Sequence, residues 1–347
     1  MTPTSIEHRD VVIIGAGLAG LAAARRLGPS RRVVVLDKGR SVGGRLATRR
    51  IGEARLDHGA QFMTVRSAVF AEQMAAWERD GLTRVWHRGF GDDGHDRHVA
   101  TGGMNSLAKD LANALEPLKT VEIAISQMVM SISVADGVWR VLIDDGTVWE
   151  ASAVIVTAPI PQAVALLIDS GVQLPEDLAR IDYQHTIALL AVLDDHGAIA
   201  PPGMVDPADL DGTIWSFVGD QYLKGISTVP AICAHGSAQW SRDHWNETDE
   251  ALAVALTKAL TPHLGGAGIV EAQVKRWRLA MPERLWPAPY WASDPVGLWL
   301  AGDAFASSTA GHPNAEGAYL SGLAAADALI GDIPPPPDAA PRSNRSS

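Results

Sequence analysis

VIIGAGLAGLAAARRL (residues 12–27) is the stretch that decides the fold. Val11 to Ile14 is a continuous apolar run that ends in glycines, the pattern of a strand buried on both faces. The alanine-rich stretch Leu18 to Leu27 predicts a helix directly after it. Between them, Gly15-Ala16-Gly17-Leu18-Ala19-Gly20 carries the spacing of a nucleotide turn. Gly15 permits the tight turn, Gly17 lets the backbone approach a pyrophosphate, and Gly20 lets the helix pack close to the strand. The helix N-terminus then faces the phosphate charge. Arg32 to Leu36 predicts a second strand, and Asp37 at its end is placed to accept hydrogen bonds from ribose hydroxyls. Strand, turn, helix, strand and acid in that order predict a dinucleotide-binding unit; the turn alone does not separate NAD from FAD.

Outward from this unit, runs at 121–125, 128–134, 138–143 and 147–150 predict short strands. The turns Ala135-Asp136-Gly137 and Asp144-Asp145-Gly146 separate the last three into an antiparallel meander. Ala151 to Thr157 and Val296 to Ala301 predict buried strands, and Gly317 to Ile330 predicts a helix rich in small residues. The middle of the chain differs in character. Strands are expected at 185–193, 213–218 and 229–235, an amphipathic helix at 247–261, and Trp215, Trp240, Trp245, Trp277, Trp286 and Trp291 supply core or pocket wall. No internal repeat is visible. The Pro- and Ser-rich stretch 332–347 has almost nothing to bury and is expected to be disordered.

The chain has 347 residues, 47% hydrophobic and 20% charged, enough for a large core and for two lobes. A net charge of −11 argues against broad nucleic-acid binding or docking on anionic membranes. One cysteine, Cys233, excludes an internal disulfide and a cysteine-based zinc site, and no metal site is expected. Met1 to Asp10 lacks the pattern of a secretory signal, and no apolar run is long enough to span a bilayer; a cytoplasmic location is the expectation.

Further segments point from a generic dinucleotide to FAD. Lys38 to Arg45 (KGRSVGGR) sets a Gly43-Gly44-Arg45 turn just past the acid, and Leu56 to Thr64 reads LDHGAQFMT. Far downstream, Leu300 to Asp303 (LAGD) ends a buried strand with an acid, and Gly311 to Gly322 leads into a helix. A cofactor reaching from adenine to an isoalloxazine needs an acid for its ribityl chain. It also needs a helix N-terminus for the electron-rich N1/O2 edge of the reduced ring.

With VVVLDKGRSVGGRLATRR (33–50), QWSRDHW (239–245), VKRWRLAMP (274–282) and LAGDAFASS…AEGAYLSGLAAADAL (300–329), the sequence resembles the flavin amine oxidase superfamily, and within it the renalase-like branch. The resemblance implies an α/β chain with a discontinuous Rossmann-type FAD-binding domain, of the glutathione-reductase/p-hydroxybenzoate-hydroxylase-like kind. A smaller α+β substrate domain on an antiparallel sheet would accompany it. The expected bounds are 1–65, 100–165 and 270–331 for the first, and 66–99 and 166–269 for the second.

Residue by residue, the resemblance implies Gly15, Ala16, Gly17, Leu18, Ala19 and Gly20 on the pyrophosphate, and Asp37 with Lys38 by the adenosine ribose. Gly44 and Arg45 would lie near pyrophosphate and flavin, with Gly59, Ala60, Gln61 and Phe62 beside the flavin ring. Backbone at Gln127–Val129 would meet adenine; Gly302 and Asp303 would hold the ribityl chain; Asn314, Ala315 and Ala318 would sit at the N1/O2 edge. Renalase-like enzymes oxidise dihydro isomers of NAD(P)H and return the electrons to O2 as hydrogen peroxide. An amine oxidase or desaturase-like activity on a small amine or apolar substrate is the alternative, and a flavin-binding scaffold without chemistry a third. Two departures concern the substrate. The Asn-Ser-Ser-Lys-Pro-Gly-like turn of relatives survives in Val218 to Ser227 only as Lys224-Gly225, and Met63 replaces an aromatic residue beside Phe62.

Hydride transfer from a dihydronicotinamide needs alignment and a dry pocket but no strong base. Gln61, Phe62 and Trp277 are therefore the expected pocket residues. His185, His235, His244 and His312 are read first as structural histidines, and Lys275 is a weaker candidate for the water-holding lysine of amine oxidases. Cys233 lies outside the C-terminal flavin motif, so the FAD is expected to be non-covalent.

Overall fold

The computed structural model describes residues 5–89, 94–210, 212–293 and 297–333. In chain order the elements begin with β1 (Ser5–Ile14), α1 (Leu18–Leu27), β2 (Val33–Asp37), β3 (Thr48–Ile51), β4 (Ala54–Asp57), α2 (Ala68–Arg79), β5 (Thr83–Arg88) and β6 (Asp96–Ala100). There follow α3 (Asn105–Asn113), β7 (Val121–Ile125), β8 (Val129–Ala135), β9 (Val138–Ile143), β10 (Thr147–Val156), α4 (Ile160–Leu166) and α5 (Glu176–Ala179). The last are β11 (Tyr183–Leu193), β12 (Trp215–Asp220), β13 (Ala231–Gly236), α6 (Ala238–Asp243), α7 (Asp249–Leu260), β14 (Ile269–Pro282), β15 (Trp291–Ala292), β16 (Leu298–Leu300) and α8 (Ala315–Asp332).

These elements form two compact units. The first takes the described residues up to Gly44, Ala108–Ile181 and those from Arg284 on; the second takes Arg45–Leu107 and Asp182–Glu283. The first unit is built on a sheet of order β15-β16-β10-β1-β2-β7, parallel from β16 to β7. Val11–Ile14 and Val33–Leu36 are fully or almost fully buried, as the uninterrupted apolar runs require when both faces of a parallel sheet are covered. The expected meander is present: β8 pairs antiparallel with β9, and β9 with the first half of β10. The predicted pieces 147–150 and 151–157 are one strand, whose polar start belongs to the meander and whose apolar end joins the parallel sheet. Helix α1 packs on α8, and a Cβ at Gly322 would overlap the Ala19 carbonyl.

The second unit centres on a four-stranded antiparallel sheet of order β12-β13-β11-β14. One face carries Ile187, Leu189, Ala191, Ile232, Ala234 and Val218, and buries against Leu252, Leu256 and Leu260 of α7. Those leucines recur at helical spacing, and Thr248 caps the helix by accepting from the Ala251 N–H at 3.2 Å. The opposite face carries Ala188, Leu190 and Ala231 against Ile51, Ala54 and Leu56 of the β3–β4 hairpin.

The units divide elsewhere than the domains expected from the sequence. Residues 45–65, 100–107 and 270–283 pack in the second unit, because the β3–β4 hairpin covers its sheet and β14 pairs with β11 along most of its length. Residues 166–181 go to the first unit, where α4 and the turn Ile168–Ser170 lie against β8. Trp286 and Trp291 also belong to the first unit, bridged to Phe305 and paired with Leu300. The tail expected to be disordered lies outside the described residues from 334 on. Asp332 still closes α8, and the Ile333 carbonyl accepts from Arg31 at 2.5 Å. Val296 also lies outside the described residues, and β16 spans only Leu298–Leu300. Among the described residues no helix is long and apolar enough to cross a membrane.

Gly322→Ala is expected to destabilise the protein by about 1–3 kcal/mol, since neither helix backbone can yield locally. A urea midpoint measurement checks this, and a midpoint equal to wild type contradicts the close helix approach.

Candidate active site

In the first unit the nucleotide turn leaves β1 and enters α1. Gly15 has φ +109°, a conformation open to glycine, and a Cβ there would press on the Thr157 hydroxyl. Gly17 caps α1 with no side-chain hydrogen bond, the first turn holds no acid, and nothing lies within 4 Å of where its Cβ would stand. Unfilled N–H groups, a positive helix end and open space together suit a pyrophosphate. Asp37 braces the turn: Oδ2 accepts from Ala16 N at 2.7 Å and Oδ1 from Gly39 N at 2.6 Å. A carboxylate offers about four lone-pair sites, so acceptor capacity is left for ribose hydroxyls. Lys38 is exposed next to it. Gln127 N donates to Asp37 O, while Gln127 Oε1 is buried with no partner among the described residues, an acceptor that a nucleobase amino group would satisfy. Gln127 precedes β8 rather than lying in it, and Val129 is the strand's first residue.

Gly302, φ +138°, follows β16 and donates its N–H to Ser321 Oγ at 2.8 Å, and Ser321 donates to Pro289 O at 2.7 Å. Asp303 is half-buried at this strand exit. Asn314 caps α8, its Oδ1 accepting from Gly317 N at 2.7 Å, which puts Ala315 and Ala318 in the first helical turn. The residues present thus fit an adenine dinucleotide carrying a ribityl chain.

In the second unit, strand alternation and register put Phe217, Cys233, His235, Lys275 and Trp277 on the sheet face opposite α7. The segment after β4 runs against that face. Trp277 donates its indole N–H to His58 O at 2.7 Å and stacks on the His58 ring with centroids 5.3 Å apart. Gln61 donates through Nε2 to Asp57 O at 2.5 Å and lies 3.3 Å from His235 Nε2 and 3.8 Å from Cys233 Sγ.

Behind Gln61 is a buried ion pair. Lys224 Nζ lies 2.8 Å from Asp57 Oδ2 and 3.1 Å from Gln61 Oε1, and neither charged side chain has any exposed surface. Trp86 offers its ring face to the ammonium at 5.6 Å. Asp57 Oδ1 accepts from Thr48 Oγ1 at 2.6 Å and Met104 N at 2.8 Å. Burial, with the nearby Lys275 cation second, pulls His58 down to about 4. Burial, with His58 and Lys224 beside it, pulls His235 down to about 3. The Cys233 thiol is pushed up to about 12, chiefly by burial. At neutral pH the two imidazoles and the thiol are therefore uncharged and none of the three is a strong base, while Lys275 stands on the same face.

Gln61, Trp277 and His235 thus come together, and Lys275 lies on the same face. Phe62 carries the Arg97 guanidinium 5.1 Å above its ring, and Met63 next to it is buried and bridged to His98. Arg45, expected near the cofactor, points its guanidinium at Ala280 O (3.1 Å) and over the Tyr183 ring. Gly44 opens a 3-10 turn, and the Arg45 carbonyl accepts from Ala60 N while leaving no room for a side chain at Gly59. His185 packs edge-on to Trp245, His244 stacks on Trp240, and His312 is exposed; none of the three has a hydrogen bond to this face. Sequence reasoning gave Asp57, His58 and Lys224 no role in the site. Their signals were present in the LDHGAQ motif and in the one Lys-Gly step left of an otherwise altered turn. Among the described residues no group of His, Cys, Asp and Glu is arranged to hold a metal ion.

Two family models match the chain. Residues 13–74 match the NAD(P)-binding Rossmann-like domain, and residues 66–330 match the flavin containing amine oxidoreductase family. Polyamine oxidase 1 of Oryza sativa subsp. japonica is 35% identical over 117 residues, 31% of this chain and 23% of that protein. Renalase of Mus musculus is 28% identical over 170 residues, 45% of this chain and 48% of that protein. The aligned regions thus span less than half the length of these curated relatives. A solved putrescine oxidase bound to putrescine has a TM-score of 0.65 at 16% identity, over 94% of this chain and 100% of that one, a likeness of fold.

Lys224→Met is expected to cost about 3–5 kcal/mol, because it leaves the Asp57 carboxylate buried and unpaired. Adding Asp57→Asn should recover part of that loss in urea unfolding; an additive double variant contradicts the coupling. The histidines set a pH dependence. His58 stays neutral in the folded chain down to about 4, whereas the unfolded chain protonates it near its ordinary 6.5. Stability is therefore unaffected by this group above 6.5, falls as the pH drops through that window, and levels off below about 4. His58→Gln should flatten the fall in melting temperature across this range, and an unchanged slope contradicts it.

Proposed function

Because the chain belongs to the flavin containing amine oxidoreductase family, a family of FAD-dependent oxidoreductases, we propose that it is an oxidase of dihydronicotinamides. It would take a hydride from isomers of NAD(P)H and pass the electrons to O2 as H2O2. The observation that carries this reading is the make-up of the sheet face, where Gln61, His235 and Trp277 come together as hydrogen-bonding and stacking groups and the Asp57 carboxylate is already engaged by Lys224, Thr48 and Met104. Imidazoles held at about 3 and 4 and a thiol at about 12 do not draw a proton from a substrate at neutral pH. A dihydronicotinamide leaves as the aromatic pyridinium once its hydride is gone and needs no base, only alignment and dryness.

Gly15 to Gly20 and the α1 N-terminus would hold the pyrophosphate, Asp37 the adenosine ribose, Gln127 and Val129 the adenine, and Asp303 the ribityl chain. The α8 N-terminus, at Asn314, Ala315 and Ala318, would favour negative charge on the N1/O2 edge. Gly44, Arg45, Gly59 and Ala60 shape the backbone leading to Gln61 and Phe62, which with Trp277 would position the substrate. The bound flavin supplies the two-electron acceptor. Cys233, the chain's one thiol, lies buried in mid-strand, so the FAD would be held without a thioether to the chain. Lys275 on the same face supports a second reading, an amine oxidase acting on a small amine.

Anaerobic stopped-flow separates the two. Isomerised NAD(P)H should bleach the flavin absorbance rapidly while putrescine and other small amines leave it, and readmitted O2 should yield one H2O2 per turnover. Bleaching by amines alone overturns the first reading. Denaturation should release free FAD, and flavin retained on the chain contradicts the non-covalent assignment.

A further inference from the structure

The contact between Gln61 Nε2 and His235 Nε2, 3.3 Å, constrains both side chains. An amide nitrogen donates two hydrogens and accepts none: one goes to the Asp57 carbonyl, and the Gly59 carbonyl and the imidazole nitrogen, each 3.3 Å away, share the other, with the imidazole nitrogen as acceptor. The direction of a glutamine amide has to come from its neighbours, and here they agree. Lys224, with three donors and no acceptor, lies 3.1 Å from Gln61 Oε1, and the Asp57 carbonyl lies 2.5 Å from Nε2. Turning the amide over would set N–H groups against the ammonium and oxygen against carbonyl oxygen. Each mismatch costs roughly 1–3 kcal/mol in a buried place. Asp57 in turn holds Lys224 at 2.8 Å.

We propose that Asp57, Lys224 and Gln61 form a chain that fixes His235 as the neutral tautomer with its proton on Nδ1, making it a one-way hydrogen-bond donor to a carbonyl or carboxamide oxygen of the substrate. The groups around His235 all favour this state. His58 and Lys224 oppose a further positive charge, and Cys233 stays an uncharged thiol. Asp57 is already engaged by Lys224, Thr48 and Met104. His235 retains exposed surface beside Phe217, whose ring centroid lies 5.4 Å away, on the face that carries Trp277 and Lys275. His235 is the group that touches the substrate, and Lys224 and Gln61 are positioning residues that act through it. The substrate half of this inference rests on the function proposed above; the tautomer half stands on geometry alone.

Nitrogen-15 NMR of the FAD-loaded full chain, labelled at histidine and assigned with His235→Gln, tests the first half. At neutral pH His235 should show a protonated Nδ1 and an unprotonated Nε2, and an Nε2–H tautomer or an imidazolium overturns the proposal. Gln61→Glu, which turns the donor into an acceptor, should move the proton to Nε2. The wild-type spectrum decides even where that variant fails to fold. For the second half, His235→Gln should raise KM for isomerised NADH about tenfold with a smaller change in kcat, the effect of one lost hydrogen bond. An unchanged KM beside the predicted tautomer overturns the substrate role alone. A wild-type enzyme that isomerised NADH does not reduce overturns the proposed function and that role with it, and leaves the tautomer standing.

Discussion

An ammonium and a carboxylate with no exposed surface, Lys224 and Asp57, set the terms for the second unit. Removing two ions from water costs several kcal/mol each, and their attraction offsets this only when the remaining hydrogen-bonding capacity is also met. It is met here by groups from separate segments: Thr48 from the hairpin, Met104 ahead of α3, Gln61 after β4 and the ring of Trp86 in β5. The pair thus ties together pieces that are distant along the chain. An apolar substitute of the same volume could fill the space, but it would give Gln61 no preferred direction.

The antiparallel sheet divides its labour by face. Toward α7 it shows aliphatic residues that need no orientation, and their burial supplies the stability. On the opposite face polar and aromatic residues are held at defined positions by strand pairing. Precision at His235 therefore comes from a backbone ladder stabilised by the other side of the same sheet. In the first unit, glycine serves a comparable end by removing side chains where Gly15, Gly20 and Gly322 approach neighbouring backbone or Thr157.

What the sequence reveals follows the distance over which its signals act. The β1–α1–β2 order and the turn at Gly15 depend on neighbours within a few residues, and they are read directly, whereas the helix expected from Gly317 begins at Ala315 behind a cap at Asn314. Strand β10 was legible only as two pieces, since its first half alternates with the meander and its second half is wholly buried. Gln61 and Trp277 were marked by motif. Lys224 and Asp57 are separated by 167 positions, and nothing local announces that they pair. The placing of Trp277 and Lys275 on one face with His235 depends on which residues of β14 and β13 pair with Thr186 and Ala188 of β11, a long-range register that no residue type there signals.

The interleaving of the units has a consequence for synthesis. The parallel sheet needs β16, at Leu298–Leu300, to cover the outer edge of β10, and needs α8 to pack on α1. As the ribosome releases the chain from its N-terminus, β1 and α1 emerge long before those partners. The second unit, by contrast, can finish once Glu283 has appeared. The apolar faces that open the sequence thus wait exposed through most of translation. Partners so distant along the chain slow the closing of this sheet, and an apolar surface left open meanwhile is one that chaperones cover.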